Sequence, residues 1–205
     1  MRGLADKIVI VTGGGNGIGR ATCRRFAEAG ASVAVLDIDG AAAERVASAI
    51  TGAGGPASAL ACDITDHEAA VDAVRAVEAA HGRVDVLVNN AGWDVFRLFA
   101  DSTPAEWQRL IAINLVGALN MHHAVLPGMM ARRAGRIVNI ASDAARVGST
   151  GEAVYAACKA GLVGFSKTLA REQARNGITV NVVCPGATNT ALFAEYKKGP
   201  ATRRS

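Results

Sequence analysis

Lys7-Ile8-Val9-Ile10-Val11-Thr12-Gly13-Gly14-Gly15-Asn16-Gly17-Ile18-Gly19 decides how the rest of this 205-residue chain is read. Its first six residues are a short, mainly β-branched apolar run, the pattern of a strand buried on both faces. The glycines follow at once, and Arg20 to Ala29 then reads as a helix ended by Gly30. Strand, glycine-rich turn and helix together make a phosphate cradle. Glycines let the backbone approach an anion, and the helix start offers free N–H groups and the positive end of its dipole. The spacing is G-x-x-x-G-x-G rather than the commoner G-x-G-x-x-G, and a glycine turn can also be only a tight connection. With both flanks matching, the expectation is dinucleotide binding at Gly13, Asn16, Gly17, Ile18 and Gly19.

The chain then repeats the alternation of strand and helix. Ser32 to Leu36 is the second strand, and Asp37 closes it. A carboxylate there, about 20 residues past the glycines, can hold both ribose hydroxyls of NAD and would repel a 2′-phosphate. No arginine follows directly, so NAD is favoured over NADP; the alternative is a surface carboxylate capping the next helix. That helix is Ala41 to Ile50. Ala57 to Ala61 is the third strand, followed by Cys62-Asp63-Ile64, and Asp66 to His81 is an amphipathic helix. Asp85 to Val88 is the fourth strand, running into Asn89-Asn90-Ala91-Gly92, small and amide residues suited to lining a cleft.

Thr103-Pro104-Ala105-Glu106 opens a helix with an N-cap, a proline in the first turn and an acid three residues on. It is expected to end before Pro127. Within it Asn114 lies in an apolar stretch, so its amide must find partners. His122-His123 lacks metal-ligand spacing and is read as one packed and one exposed histidine. Arg136 to Ile140 is the fifth strand, with Ser142 just past its end. A helix carrying Tyr155 and Lys159 runs to Asn176-Gly177, and Thr179 to Val183 is the sixth strand, followed by Pro185-Gly186. Six strands alternating with helices predict a doubly wound parallel sheet of order 3-2-1-4-5-6. Every motif singled out falls at the carboxyl end of a strand.

Tyr155 and Lys159 are four apart in an alanine-rich run, so a helix puts both on one face. A free phenol has a pKa of about 10, and a neighbouring ammonium favours its ionised form. Such a phenol can take a proton from an alcohol or give one to a carbonyl. In isolation the pair would read as one core aromatic and one solvated lysine; the motifs around it change that reading.

Composition sets the class. Half of the residues are hydrophobic and aromatics are only 4%, as suits a parallel sheet covered by helices on both faces. The formal charge of +4 comes from Lys197, Lys198, Arg203 and Arg204; without them basic and acidic residues balance at 18 each. A neutral body with a short basic end gives little footing for nucleic acid. No run of about 18 apolar residues is present and no signal segment opens the chain, so no membrane span and a cytoplasmic location are expected. Cys23, Cys62, Cys158 and Cys184 have no metal-like spacing and are read as free thiols.

In its motifs the chain resembles the short-chain dehydrogenase/reductase family. The likeness runs from Thr12-Gly13-x-x-x-Gly17-x-Gly19 through Asp63 and Asn89-Asn90-Ala91-Gly92 to Asn114, Ser142, Tyr155-x-x-x-Lys159 and Pro185-Gly186. It implies a Rossmann-type fold and an NAD-dependent oxidoreductase acting on CH–OH groups, with no metal. Carried onto this chain, it implies that Tyr155 exchanges the hydroxyl proton and that Lys159 lowers the tyrosine pKa and holds the nicotinamide ribose. Ser142 would orient the substrate oxygen, and Asn114 would position a water. It also implies cofactor contacts from Asp37, Asp63, Ile64, Asn90, Ala91, Gly92, Tyr155, Lys159, Pro185, Gly186 and Thr188.

Three segments, Asn90 to Phe96, Met121 to Met129 and Ala141 to Gly148, look like the branch of the family that oxidises 2-hydroxycyclohexanecarboxyl-CoA with NAD. That likeness implies an acyl-CoA thioester as the partner, with Trp93, Val95, Val147 and Phe193 offering apolar contact to a ring. Arg146 would meet the CoA side, or else pair with Asp143 or Glu152. A 3-oxoacyl thioester reductase of the same family is the enzymatic alternative, and an inactive nucleotide-binding protein is the alternative from another class. Residues 1–193 are expected to form one domain and 194–205 a basic disordered tail, so the family's last strand is expected to be missing. The resemblance implies a homo-oligomer, with assembly surfaces left incomplete by that ending.

Overall fold

The computed structural model describes residues 3–190. Phe193 and the basic stretch 194–205 lie outside the described residues. The elements alternate as anticipated: β1 (Ile8–Thr12), α1 (Gly17–Glu28), β2 (Ser32–Asp37), α2 (Gly40–Gly52), β3 (Ala57–Ala61), α3 (His67–His81) and β4 (Val86–Asn89). Then come α4 (Pro104–Ile111), α5 (Gly117–Arg132), β5 (Gly135–Ile140), α6 (Ala144–Val147), α7 (Ala153–Gln173) and β6 (Ile178–Val183). All six strands are parallel, in the order β3-β2-β1-β4-β5-β6. The chain changes direction across the sheet between β1 and β4, which opens a crevice at their carboxyl ends.

Strict alternation along β1 divides the core. Ile8 and Ile10 face Val74 and Val77 of α3, Met121, Val125 and Met129 of α5, and Leu169 of α7. Val9 and Val11 face Cys23 of α1 and Val46, Ala47 and Ile50 of α2. Each fully buried side chain of this size contributes about 1.5–3 kcal/mol of transfer free energy, so the sheet is a rigid platform for what projects from its end.

The helices start and stop where their caps require. Asp39 caps α2 and Asp66 caps α3, each by accepting backbone N–H bonds. Gly82 and Gly177 end α3 and the short turn after α7 in the left-handed conformation. Thr103 and Glu106 form the expected reciprocal cap of α4.

Three boundaries differ from the sequence reading. First, α1 begins at Gly17, three residues early, because the glycine turn closes at Asn16 and its last glycines are the helix's first turn. Second, α5 passes through Pro127 to Arg132. Proline costs the helix one backbone bond and crowds the carbonyl four residues back, and packing of Val125 and Met129 in the core offsets that cost, so the helix continues past it. Third, α4 and α5 are joined by a π-helical segment, Ala112–Val116. An inserted residue of this kind is common at functional sites, and its one buried side chain is Asn114. Together Pro104–Arg132 is a helical run long and apolar enough to cross a membrane by length and composition. Its inner face is packed in the core of the α/β layers.

Candidate active site

The glycine turn fits a nucleotide diphosphate. A Cβ on Gly19 would lie 2.1 Å from Gly13 O and 2.5 Å from Asn90 Nδ2, and one on Gly13 would lie 2.8 Å from Ala91 Cα. Only glycine therefore allows the turn to fold against the end of β4. Gly17 itself adopts φ +51°, which other residues rarely do. Asn16 precedes α1 without a side-chain cap bond, and the first turn holds no acid. The first N–H groups and the positive helix end are thus left for an anion. Beside them is a cavity of about 370 Å³ bounded by Gly17, Ile18, Arg25, Thr188 and Thr190. Thr188 thus lies on one cavity with Gly17 and Ile18 of the glycine turn.

Asp37 ends β2 beside this turn. Its carboxylate accepts from Gly15 N at 2.9 Å and from Asp39 N at 3.0 Å. The carboxylate is therefore fixed at the crevice, and the turn from Gly13 to Gly19 contains no basic residue. Asp63 closes β3 in the same way, accepting from Thr65 N and Oγ1.

Several of the residues expected to touch the cofactor also make bonds that hold the crevice together. Asn90 spends both amide hydrogens on Thr12 O and Gly13 O, at 2.9 and 3.0 Å. Thr12, which the sequence reading quoted only as part of the motif, accepts from Asn90 N and Ala91 N through its hydroxyl. These bonds tie β4 to the glycine turn and set the crevice width. Ile64 packs against Gly117, and its carbonyl accepts from Asn120. Gly92 is a close approach: a Cβ there would meet Asn114 Oδ1 at 3.0 Å and Lys159 Nζ at 3.3 Å.

The four residues expected to carry the chemistry converge at the other end of the crevice. Tyr155 hydrogen-bonds Ser142 through its hydroxyl. Ser142 Oγ accepts from Ala144 N at 3.2 Å and donates to Asp143 Oδ1 at 3.3 Å, which orient it at the start of α6. Lys159 is 3% exposed; its Nζ donates to Ile140 O at 3.0 Å and lies 5.5 Å from the Tyr155 ring centre. Asn114 is buried, donating to Trp93 O at 2.6 Å and Leu110 O at 3.0 Å and accepting from Trp93 N at 3.3 Å. Its amide thus ties the loop after β4 to the π-helical segment. Pro185 O accepts from Asp143 N, joining the segment after β6 to the turn that carries Ser142.

The electrostatics depart from the expectation in one respect. Burial, then the charge of Asp94, push the Tyr155 hydroxyl up to about 12, against the pull of its bond to Ser142, with Glu152 and Asp143 adding to the rise. Lys159 is not among the groups that move the phenol, and burial lowers its own pKa to about 8, which leaves the ammonium mostly charged at neutral pH. A half-buried phenol between carboxyl groups keeps its proton in neutral solution. A phenol in this state can give a proton to a carbonyl oxygen.

Sequence reading missed Asp94 and Glu152 as members of this site, although both stand in segments it quoted. It also missed Arg109, whose guanidinium stacks on Trp93 at 4.1 Å. Arg146 is exposed and forms no salt bridge among the described residues, so neither Asp143 nor Glu152 pairs with it. Of the histidines, His122 is buried and His123 exposed, as expected. Burial, opposed by its bond to Ala118 O, lowers His122 to about 4, so the ring is neutral. The described cysteines are all free, and no group of three metal-ligating side chains occurs among the described residues.

Known proteins fit this geometry. Residues 7–201 match the family model described as short chain dehydrogenase. The acetoacetyl-CoA reductase of Shinella zoogloeoides is 42% identical over 187 residues, covering 91% of this chain and 76% of that protein. The 3-oxoacyl-[acyl-carrier-protein] reductase FabG of Escherichia coli (strain K12) is 43% identical over 189 residues, covering 91% and 75%. Among solved structures, NAD+-bound xylitol dehydrogenase superposes with a TM-score of 0.88 at 34% identity, covering 90% of this chain and 72% of that one. A variant of actinorhodin polyketide ketoreductase with NADPH gives 0.91 at 36%, covering 97% and 77%. With a family model over residues 7–201 and relatives above 40% identical across nine-tenths of its length, the chain belongs to the short-chain dehydrogenase family, and it is an NAD(P)-dependent oxidoreductase acting on CH–OH groups.

Proposed function

We propose that this protein interconverts a 3-oxoacyl thioester and its 3-hydroxyacyl thioester, with NAD(H) as the cofactor and reduction as the favoured chemistry of the free site. The observation that carries the reading is the gathering of Tyr155, Lys159 and Asn114 around Gly92 and the end of β5, where Lys159 Nζ is fixed by Ile140 O and lies 5.5 Å from the Tyr155 ring centre; burial and Asp94 push the phenol up, which favours its protonated form. The relatives named as acetoacetyl-CoA and 3-oxoacyl-[acyl-carrier-protein] reductases support the same direction and substrate class. This departs from the sequence expectation, which put alcohol oxidation first.

The residues have distinct tasks. Ser142 and Tyr155 bind the ketone oxygen, and Tyr155 passes its proton to that oxygen as negative charge develops there. Lys159, fixed by Ile140 O, carries a charge that stabilises the phenolate left behind. The glycine turn and Asp37 hold the dinucleotide, and bound nicotinamide supplies the hydride. The carboxylate of Asp37, tied to Gly15 and Asp39, supports NAD(H) over NADP(H) by charge.

A narrower substrate reading has its own support. In 2-ketocyclohexanecarboxyl-CoA the ketone stands β to the thioester, so the ring compound is itself a 3-oxoacyl thioester. Trp93, flattened under Arg109, and Val147, 81% exposed beside Ser142, offer apolar surface for an alicyclic ring. The test is loss of nicotinamide absorbance with NADH or NADPH and either acetoacetyl-CoA or 2-ketocyclohexanecarboxyl-CoA. Turnover of either thioester with NADH ahead of NADPH is expected, and the ratio between them assigns the acyl group. Failure to reduce both, by a folded protein that binds NADH, would overturn the reading.

A further inference from the structure

Two exposed histidines, 56 residues apart in sequence, aim ring nitrogens at each other. His67 is the first residue of α3, and His123 stands in the middle of α5. His67 Nε2 and His123 Nδ1 are 3.0 Å apart, with ring centres at 5.0 Å and planes inclined by 52°. The backbones beneath them are fixed. Val74 and Val77 of α3 share one core cluster with Met121 and Val125 of α5. One turn before His123, Asn120 donates to Ile64 O at 2.9 Å and to Thr65 O at 3.2 Å, which ties α5 to the loop leading into α3. Asp66 caps α3 by accepting from Glu68 N and Ala69 N, so the residue that carries the His67 ring is held as well.

The separation of the two nitrogens is one that a metal ion sets. Zn²⁺ binds imidazole nitrogen at about 2.0–2.1 Å, so two such ligands stand about 2.9–3.4 Å apart between a right angle and the tetrahedral angle. A hydrogen bond between the rings uses one nitrogen as donor and the other as acceptor. A neutral imidazole carries its hydrogen on either nitrogen, so the donating ring can move it to its outer nitrogen and turn a lone pair inward. Neither ring is taken by a carboxylate: no ion pair among the described residues involves His67 or His123. Asp66 and Glu68 flank His67 in sequence and add negative charge near a cation.

We propose that His67 and His123 form a binding site for a divalent transition ion such as Zn²⁺, with water in the remaining positions. The ion would staple the start of α3 to α5 and brace the loop from Asp63 to Thr65 that follows β3. Imidazole ligands favour Zn²⁺, Ni²⁺ and Cu²⁺, whereas Mg²⁺ and Ca²⁺ require oxygen. None of the four residues expected to carry the chemistry is a ligand, and the ion has no part in hydride transfer.

The experiment uses untagged full-length protein. Zinc is titrated calorimetrically at neutral pH, and thermal unfolding is followed with and without it. One ion per chain is expected, with Tm raised by about 3–6 °C at ten times the dissociation constant. His67→Gln and His123→Gln should each lose both effects, because glutamine can still hydrogen-bond the remaining ring but is a poor zinc ligand. His81→Gln, at the far end of α3, and Cys184→Ser should keep them. Circular dichroism without metal establishes that each variant is folded. Zinc binding that survives in either of the first two variants, or no binding by the wild type, would overturn the proposal. Cu²⁺ spin resonance reads the ligands without relying on variant stability. Coupling to two imidazole nitrogens is expected in the wild type, and a spectrum lacking it would refute the paired site.

Discussion

At the β1 end of the crevice the groups offered to a ligand are backbone N–H groups and one carboxylate; at the β5 end they are a phenol, a hydroxyl, an ammonium and two carboxyls. The first end is made by removing side chains. Gly13 and Gly19 let two backbones touch, and Asn90 and Thr12 lock them in place. The second end is made by pressing ionisable side chains together out of water. Tyr155 and Asp94 are raised and Lys159 is lowered, in each case chiefly by burial. Binding at one end thus depends on shape, which pH leaves alone, whereas chemistry at the other depends on charge states that pH rewrites.

Substitutions should divide along the same line. Tyr155→Phe removes the proton donor and leaves the glycine turn untouched. Its turnover should fall about 10²- to 10⁴-fold, while NADH affinity by fluorescence titration stays within about twofold. Equal loss of both would mean that the two ends are not separable. Gly19→Ala attacks the other end. Although alanine favours a helix by about 1 kcal/mol, its Cβ would lie 2.1 Å from Gly13 O. Overpacking of this kind should cost about 3 kcal/mol in urea unfolding and abolish detectable nucleotide binding. A variant that binds NADH normally would show that the turn has room to spare. Asp37→Asn keeps the shape and removes the charge. KM for NADH should rise about tenfold, close to 1.4 kcal/mol, and the preference over NADPH should shrink. An unchanged preference would detach Asp37 from cofactor choice.

The two ends also differed in how far sequence could reveal them. Shape at the β1 end is local: strand, glycines and helix start are consecutive residues, and β2 ends at Asp37 as its apolar run dictates. The sheet order followed from the same alternation. The β5 end is assembled from distant segments. Tyr155 and Lys159 share a helix face and were legible by spacing, but Asp94 and Glu152 border one cavity with Tyr155 because a bond from Arg97 N to Gly151 O joins two loops distant in sequence. Nor does spacing carry the sign of a pKa shift. Lys159 suggests a lowered phenol, yet its burial and the carboxyls opposite reverse the outcome. The π-helical segment and the passage of α5 through Pro127 are likewise tertiary results, held by Asn114 and by side chains packed on the sheet.

Whether the β5 end works as an acid can be read most directly from the pH dependence of kcat/KM for acetoacetyl-CoA reduction by the wild-type protein. A tyrosine that holds its proton gives a rate that is level through the neutral range and declines only as the pH passes about 8, where Lys159 loses the charge that faces the forming phenolate. A rate that climbs with pH across neutrality would mean that the working form has already lost the proton, and the acid assignment for Tyr155 would be wrong.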